Sequence, residues 1–419
     1  MTEHELIEDS DEESHDSEDI SRDYLRISLV LSFLTQKELS INLVDPILPF
    51  EVSLLKLITR VSEGTRTEID LNSIKVTPGR IVGGEFSFEC DKSMPLTYYL
   101  EPLVLLLPFA SKPTTVTLKF PSYGDRGTSK TGSLDDEFLN TEYYSSLECF
   151  SSVSTILLQL VGCTCNFKYK EPFEVVFSCS PVKKVAPINL TKSPKVKRVR
   201  GSVTVRNIQP NLGKRAIIGA KKVLDIVCDN SFIYLSSPPG KFKPYLTMSL
   251  VAEGTNSCIF TSNLTVSLNA TTSPNTNTGT NTNTSTYTST NTNNKATNRN
   301  TATSSSGSKP RSNASDEGLM EKCERMGEQC ARRLCSEISL DSVVDTCHEH
   351  LFLLFMALAE DHRVSQIRLS KLTRYAVHCL RFVRTYLGVV FKFEELEDEH
   401  VLIAKCIGSN YQNINVESF

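Results

Sequence analysis

The sequence predicts an α/β (α+β) protein in which three repeats of a helix-strand-helix-hairpin unit form one large domain, with a small inserted α/β domain carrying a disordered Asn/Thr-rich loop. Three observations predict it. Apolar spacing alternates between helical and strand periods in the same order three times along the chain. The segment between the second and third copies follows a different order and carries a run of bases without acids. The chain has 419 residues, 39% hydrophobic and 22% charged, which at ~100–200 residues per domain is enough to bury a core and excludes a wholly disordered protein.

In the first copy, residues 24–35 (YLRISLVLSFLT) read as a helix, 39–44 as a strand, 48–62 (LPFEVSLLKLITRVS) as a second helix, and 66–71 and 80–89 as strands around a turn at Pro78-Gly79. The order recurs at 94–109, 114–120, 139–161, 164–169 and 173–179. It recurs again at 341–358, 364–369, 372–387, 388–394 and 399–406. Each copy is too small to cover its own sheet, so the three have to pack together. Between them, strand 197–207, helix 211–228, strands 231–236, 245–252 and 257–261, and helix 317–336 outline the inserted domain. The expected division is an acidic disordered tail over 1–22, the large domain over 23–185 and 337–419, and the inserted domain over 186–336. From Thr271 to Asn313 the chain is almost wholly Asn, Thr and Ser, a composition expected to form a disordered loop, since it cannot offset its ordering entropy by burial.

The formal net charge of -4 hides a segregation. Residues 1–19 hold ten of the 49 acids and none of the 45 bases, leaving a mildly basic body. An acidic start has the wrong sign for a mitochondrial presequence and lacks a secretory h-region, so a cytosolic or nuclear protein with free thiols at its thirteen cysteines is expected. Apolar runs such as Leu351–Ala359 fall far short of the ~20 residues a bilayer requires, and no membrane segment is expected.

The strongest chemical signal is the run from 183 to 222, with twelve bases and no acid. On a strand over 197–207, period two places Arg198, Arg200, Ser202, Thr204 and Arg206 on one face and Val199, Val203 and Val205 on the other. Lys214, Arg215, Lys221 and Lys222 follow on the next helix. These seven bases are the candidate RNA-binding residues, a surface that tracks phosphates; the plain alternative is a solvated charged face. Cys347-His348-Glu349-His350 and His362 invite a metal reading, but neighbours on a helix do not converge, so no metal site is expected. Cys163 and Cys165 read as structural thiols. There is no Walker A loop, no Gly-x-Gly-x-x-Gly and no Gly-x-Ser-x-Gly, and no carboxylate cluster or histidine pair marks a nuclease centre.

Specific residues resemble a family. Arg80–Phe120, with Gly83-Gly84, Cys90, Tyr99-Leu100-Glu101-Pro102 and Pro108-Phe109, resembles the RNA 3′-terminal phosphate cyclases, and more closely the cyclase-like branch that acts in ribosome assembly. Further matches are Lys195–Gly201, Ser249–Glu253, Phe355–Ala359 and Leu372–Phe391. The resemblance implies three repeats plus one inserted domain, in agreement with the spacing.

The departures bear on activity. The resemblance places an adenylate-forming histidine of true cyclases at Tyr375, a poor substitute for an imidazole nucleophile. A Gly-rich turn near the nucleotide corresponds to Ile20-Ser21-Arg22, and a glycine-rich signature in the second repeat to Lys170-Glu171-Pro172-Phe173-Glu174. Arg26 resembles a family arginine that binds phosphate, and His378 reads as a packing or surface residue. The resemblance therefore implies a non-cyclase protein of small ribosomal subunit biogenesis, with no catalytic residue assigned and no cofactor. It implies a nuclear, nucleolar location, pre-rRNA, a ribosome-assembly GTPase and small-subunit processome components as partners, and a role in early pre-18S cleavages. The alternative is an active ATP-dependent RNA 3′-phosphate cyclase with a relocated nucleophile.

Overall fold

A helix with no polar face has to be enclosed on all sides. Two stretches, Leu96–Leu106 and Glu349–Leu358, are of that kind, and every residue of both is buried. In this computed structural model, residues 22–120, 145–170, 173–238, 244–267, 313–396 and 401–416 are described. The acidic run 1–19, the start of the helix expected from residue 139, and the Asn/Thr tract up to residue 312 lie outside them. The described chain is mixed α/β, with eight α-helices and five sheets.

A single 3-10 turn, Arg22–Tyr24, leads into α1 (Leu25–Thr35), then β1 (Leu39–Asn42) and α2 (Pro49–Val61). Glu51 secures the start of α2: its carboxylate accepts the Leu48 N–H at 2.7 Å and meets Arg22 Nε at 2.8 Å. There follow β2 (Ser62–Glu63), β3 (Arg66–Ile69), β4 (Ser73–Thr77) and β5 (Arg80–Ile81). The first sheet runs β1-β4-β3, antiparallel throughout. This corrects the expected hairpin, because the turn lies at residues 70–72 and the missed strand Ser73–Thr77 is the central one. The expected strand 80–89 is broken by Gly83 and Gly84, both at positive φ, and its second half joins another sheet.

That sheet contains β6 (Glu85–Glu89), β7 (Thr114–Lys119), β8 (Cys165–Lys170) and β9 (Glu174–Cys179), with α3 (Leu96–Leu106) and α4 (Leu147–Leu160) in the connections. Its order is β6-β7-β9-β8, with β6 and β7 parallel and the other pairs antiparallel. After β10 (Asn189–Leu190) come β11 (Val196–Arg206), α5 (Pro210–Val227), β12 (Ser231–Ser236), β13 (Tyr245–Gly254), β14 (Ile259–Ser267) and α6 (Asn313–Ser339). The four strands β11 to β14 form their own sheet, β12-β11-β13-β14, with α5 and α6 against it. The two helices touch backbone to backbone: a Cβ on Gly219 would stand 2.0 Å from the Glu324 carbonyl oxygen, and one on Gly327 1.9 Å from that of Ala216.

The chain ends with α7 (Glu349–Leu358), β15 (Val364–Leu369), α8 (Arg374–Leu387), β16 (Lys392–Glu395) and β17 (Leu402–Ile407). The sheet β10-β15-β17-β16 has the order and strand directions of the second sheet, so Asn189–Leu190 pairs with β15. The helix expected from residue 341 begins only at Glu349, because Asp345 holds the chain in a turn: its Oδ1 accepts the His348 N–H at 3.1 Å and meets His348 Nδ1 at 2.6 Å. Its Oδ2 accepts from the Thr261 N–H and Oγ1 at 2.9 and 2.7 Å, which fixes this turn to β14. Near the C-terminus Asn413 donates to the carbonyls of Ala110 and Val182, and Asn415 donates to that of Phe109 and accepts from the Ile81 N–H. Two buried amides thereby join segments more than 200 residues apart in sequence. No helix among the described residues is long and apolar enough to cross a membrane.

Candidate functional site

Four helices bring Arg26, Glu101, His350 and Tyr375 together. Arg26 stands in the first turn of α1, Glu101 in the middle of α3, His350 in the first turn of α7 and Tyr375 in the first turn of α8, whose N-cap Thr373 accepts from the Ala376 N–H at 3.1 Å. Arg26 Nη1 is ion-paired with Glu101 Oε2, both side chains almost fully buried, and the guanidinium lies 5.1 Å from the centre of the Tyr98 ring. His350 Nε2 approaches Glu101 Oε1 at 3.5 Å. Burial alone would raise the Glu101 carboxyl; Arg26 and then His350 outweigh it and hold it down at about 2. Arg26 therefore meets a permanent carboxylate, and a phosphate would have to displace it.

The Tyr375 ring is packed as an aromatic. His350 meets it edge to face, Tyr24 stacks on it at 5.7 Å, and the same Tyr24 ring lies 4.5 Å from His378. Burial, then Arg381 and Arg374, lowers the His378 pKa. His350 is the residue that sequence reasoning missed here: it stood only within Cys347-His348-Glu349-His350, and nothing local marks it as facing residue 375. The nearby histidines part company, with His348 on Asp345, His350 on Glu101 and His362 on Glu360.

The basic strand face is realised in part. Val199, Val203 and Val205 are buried, while Arg198 and Arg200 are exposed. Arg206 departs from the expectation: it is buried, with its guanidinium 4.9 Å from the Phe173 ring centre at the tip of the β8–β9 hairpin. Acids distant in sequence answer several of the bases. Glu253 on β13 takes Arg198 Nε and Nη2 at 2.7 and 2.5 Å and pairs with Arg200 as well. On α6, Glu324 pairs with Lys222 and with Arg215 at 3.8 Å, and Glu328 approaches Lys222 at 3.8 Å. Lys197, Lys214 and Lys221 are exposed.

A family model described as RNA 3'-terminal phosphate cyclase matches residues 21–393, nearly the whole described chain. The chain belongs to the RNA 3'-terminal phosphate cyclase family. Among curated members, the mouse and human RNA 3'-terminal phosphate cyclase-like proteins are each 26% identical over 420 residues, covering 94% of this chain and 95% of theirs. The rRNA processing protein rcl1 of Schizosaccharomyces pombe is 24% identical over 413 residues, covering 94% of this chain and 96% of its own. Within the family frame, Arg26 and Tyr375, the two positions singled out by resemblance, lie in one cluster and share His350 and Glu101 as intermediaries.

Proposed function

We propose that this chain is a cyclase-family protein that has given up the cyclase reaction and acts in small ribosomal subunit biogenesis, in the nucleolus, bound to pre-rRNA and required for the early cleavages that yield pre-18S rRNA. The observation that carries the loss of cyclase chemistry is the setting of Tyr375: a phenol replaces the imidazole nucleophile, packed against His350 and Tyr24, while the phosphate-binding candidate Arg26 is engaged by Glu101. Kinship with an rRNA processing protein and the basic face of β11 support the RNA role. A ribosome-assembly GTPase and small-subunit processome components are the proposed protein partners. In the same reading, the three sheets of like strand order are three repeats of one large domain, and residues 186–336, with β11 to α6, are the inserted domain.

Depletion of the protein from cells, followed by hybridisation to pre-rRNA, tests the role: uncleaved precursor should accumulate and 18S rRNA fall, and normal precursor levels would overturn it. The RNA surface is tested in vitro. Since Arg206 packs on Phe173, the informative variants are Arg198→Ser with Arg200→Ser, and Lys214→Ser with Lys221→Ser. Each lost phosphate contact should flatten the logarithmic salt dependence of RNA binding by about one unit. Unchanged slopes would return these bases to a solvated face.

A further inference from the structure

The edge strand β12 carries two aromatic rings in water. Phe232 is 55% exposed and Tyr234 68%. In the parallel pairing with β11, Arg200 lies beside Phe232 and Ser202 beside Tyr234, so the rings share the face of Arg198 and Arg200. The opposite face belongs to α5: Leu235, Val205 and Val203 all stand close to where a Cβ on Gly213 would lie. On the arginine face the cover is partial. The start of α4 sits over the middle of the sheet, where Ser202 bonds Glu148, Ser249 Oγ reaches Ser146 Oγ at 2.8 Å, and the Cys149 thiol donates to the Leu250 carbonyl at 3.6 Å. The large exposed side chains left on this face are the two rings and the two guanidiniums, while Arg206 at its far end is buried.

A single exposed aromatic needs no explanation, but two in i, i+2 register beside arginines on an open sheet form a surface with a definite chemistry. At ~3.3 Å per strand residue the rings are rooted about 7 Å apart, a spacing on which two successive unstacked bases can lie. The charge selects a polyanion over an apolar peptide. Glu253 serves both guanidiniums and Glu148 acts on Arg200 as well, but the two arginine side chains stay 45% and 49% exposed, so both can still reach a phosphate. We propose that Phe232 and Tyr234 form a base-stacking platform for single-stranded RNA, with Arg198 and Arg200 on the flanking phosphates. The proposal rests on the RNA-binding reading of the basic face and deepens it: unpaired bases, and not a duplex, are the ligand.

The chain has no tryptophan, so Tyr234→Trp installs a sole reporter. Full-length protein is titrated with a fluorescein-labelled 12-nucleotide oligouridylate and with an RNA duplex of the same length, at several salt concentrations. Phe232→Ala and Tyr234→Ala should each weaken single-strand binding about tenfold with an unchanged salt slope, because stacking is not a counterion effect. Tyr234→Trp should retain affinity, and its emission should be quenched by the single strand and not by the duplex. Both rings are solvent-exposed, so thermal melts of the alanine variants should match wild type. If the alanine variants bind as wild type while Arg198→Ser with Arg200→Ser loses affinity, the platform is overturned and the basic face stands; the rings then serve a protein contact. If neither set changes binding, the RNA reading of this face fails as a whole. Equal quenching by duplex and single strand also overturns the proposal.

Discussion

The His350 ring meets the Tyr375 ring edge to face, with centroids 4.8 Å apart and planes at 86°. Such a pair contributes packing of about 0.5–1.5 kcal/mol beyond its buried area, and it holds residue 375 by its ring. The imidazole at 350 is itself turned to Glu101, which in turn neutralises Arg26. A nucleophile would need the reverse arrangement, with its reactive atom presented and a cation left for the phosphate.

Tyr375→His alone should therefore not restore cyclase chemistry. Incubation with labelled ATP, denaturation and gel electrophoresis should show no covalent adenylate for the wild type or for this variant. Label that survives denaturation in either protein would refute the reading, and its appearance only in the variant would assign the loss to residue 375 by itself.

Glu101→Gln should destabilise the fold by about 3–5 kcal/mol at neutral pH, since it leaves the almost fully buried Arg26 without its counter-charge. The effect has a pH signature. The folded pKa of Glu101 is held down at about 2 against an ordinary value of 4.5, so the carboxylate's contribution is complete above the ordinary value and lost as pH falls toward 2. Urea melts of wild type and variant should converge on acidification between these limits. A gap that is constant with pH would show that the ion pair is not its source.

Glu349 has the opposite sign. Burial pushes its carboxyl up to about 7, against hydrogen bonds from the Thr373 N–H at 2.8 Å and Oγ1 at 2.7 Å. The folded protein then binds more protons than the unfolded chain between 4.5 and about 7, so this group costs stability as pH rises through that window. Glu349→Gln keeps a carbonyl oxygen for both donors and removes the titration. Its stability relative to wild type should rise between pH 4.5 and 8, by at most about 3 kcal/mol. A flat difference across that range would sink the assignment.

The sequence shows the elements better than it shows their partners. Apolar period places α1, α2, α3, α5 and α8 within a few residues, because each buries a continuous stripe or its whole surface. Ser73–Thr77 escapes because Pro78-Gly79 is the stronger local turn signal, whereas the chain turns at residues 70–72, where Leu71 is 77% exposed. The late start of α7 escapes because the Asp345 turn that delays it is held by Thr261, 84 residues away. The same limit governs the sites. Period two identifies the arginine face of β11, but Glu253, Glu324 and Phe173, which answer Arg198, Arg215 and Arg206, come from other elements. His350 could not be placed against Tyr375 without the packing of α7 on α8.

Gly83 and Gly84, quoted above for family resemblance, do different physical work, and paired substitutions should separate them. Both have positive φ, 75° and 106°, so an alanine at either position meets backbone strain of about 1–3 kcal/mol. At Gly84 a Cβ would meet nothing within 4 Å. At Gly83 it would stand 2.0 Å from Thr114 Oγ1, a buried hydroxyl that accepts the Gly84 N–H at 3.2 Å and donates to the Lys112 carbonyl at 3.0 Å. Moving that hydroxyl leaves buried polar groups unmatched, a further cost of about 1–3 kcal/mol. Thr114 opens β7, the second strand of its sheet, so the damage falls where the chain passes from the first sheet to the second. Chemical denaturation should rank Gly83→Ala below Gly84→Ala and both below wild type, and in a Thr114→Ala background the gap between the two should narrow, because the γ atom in the way and the hydroxyl it carries are already gone. Equal losses at 83 and 84 would mean that backbone conformation alone governs this crossing and that the contact with Thr114 is incidental.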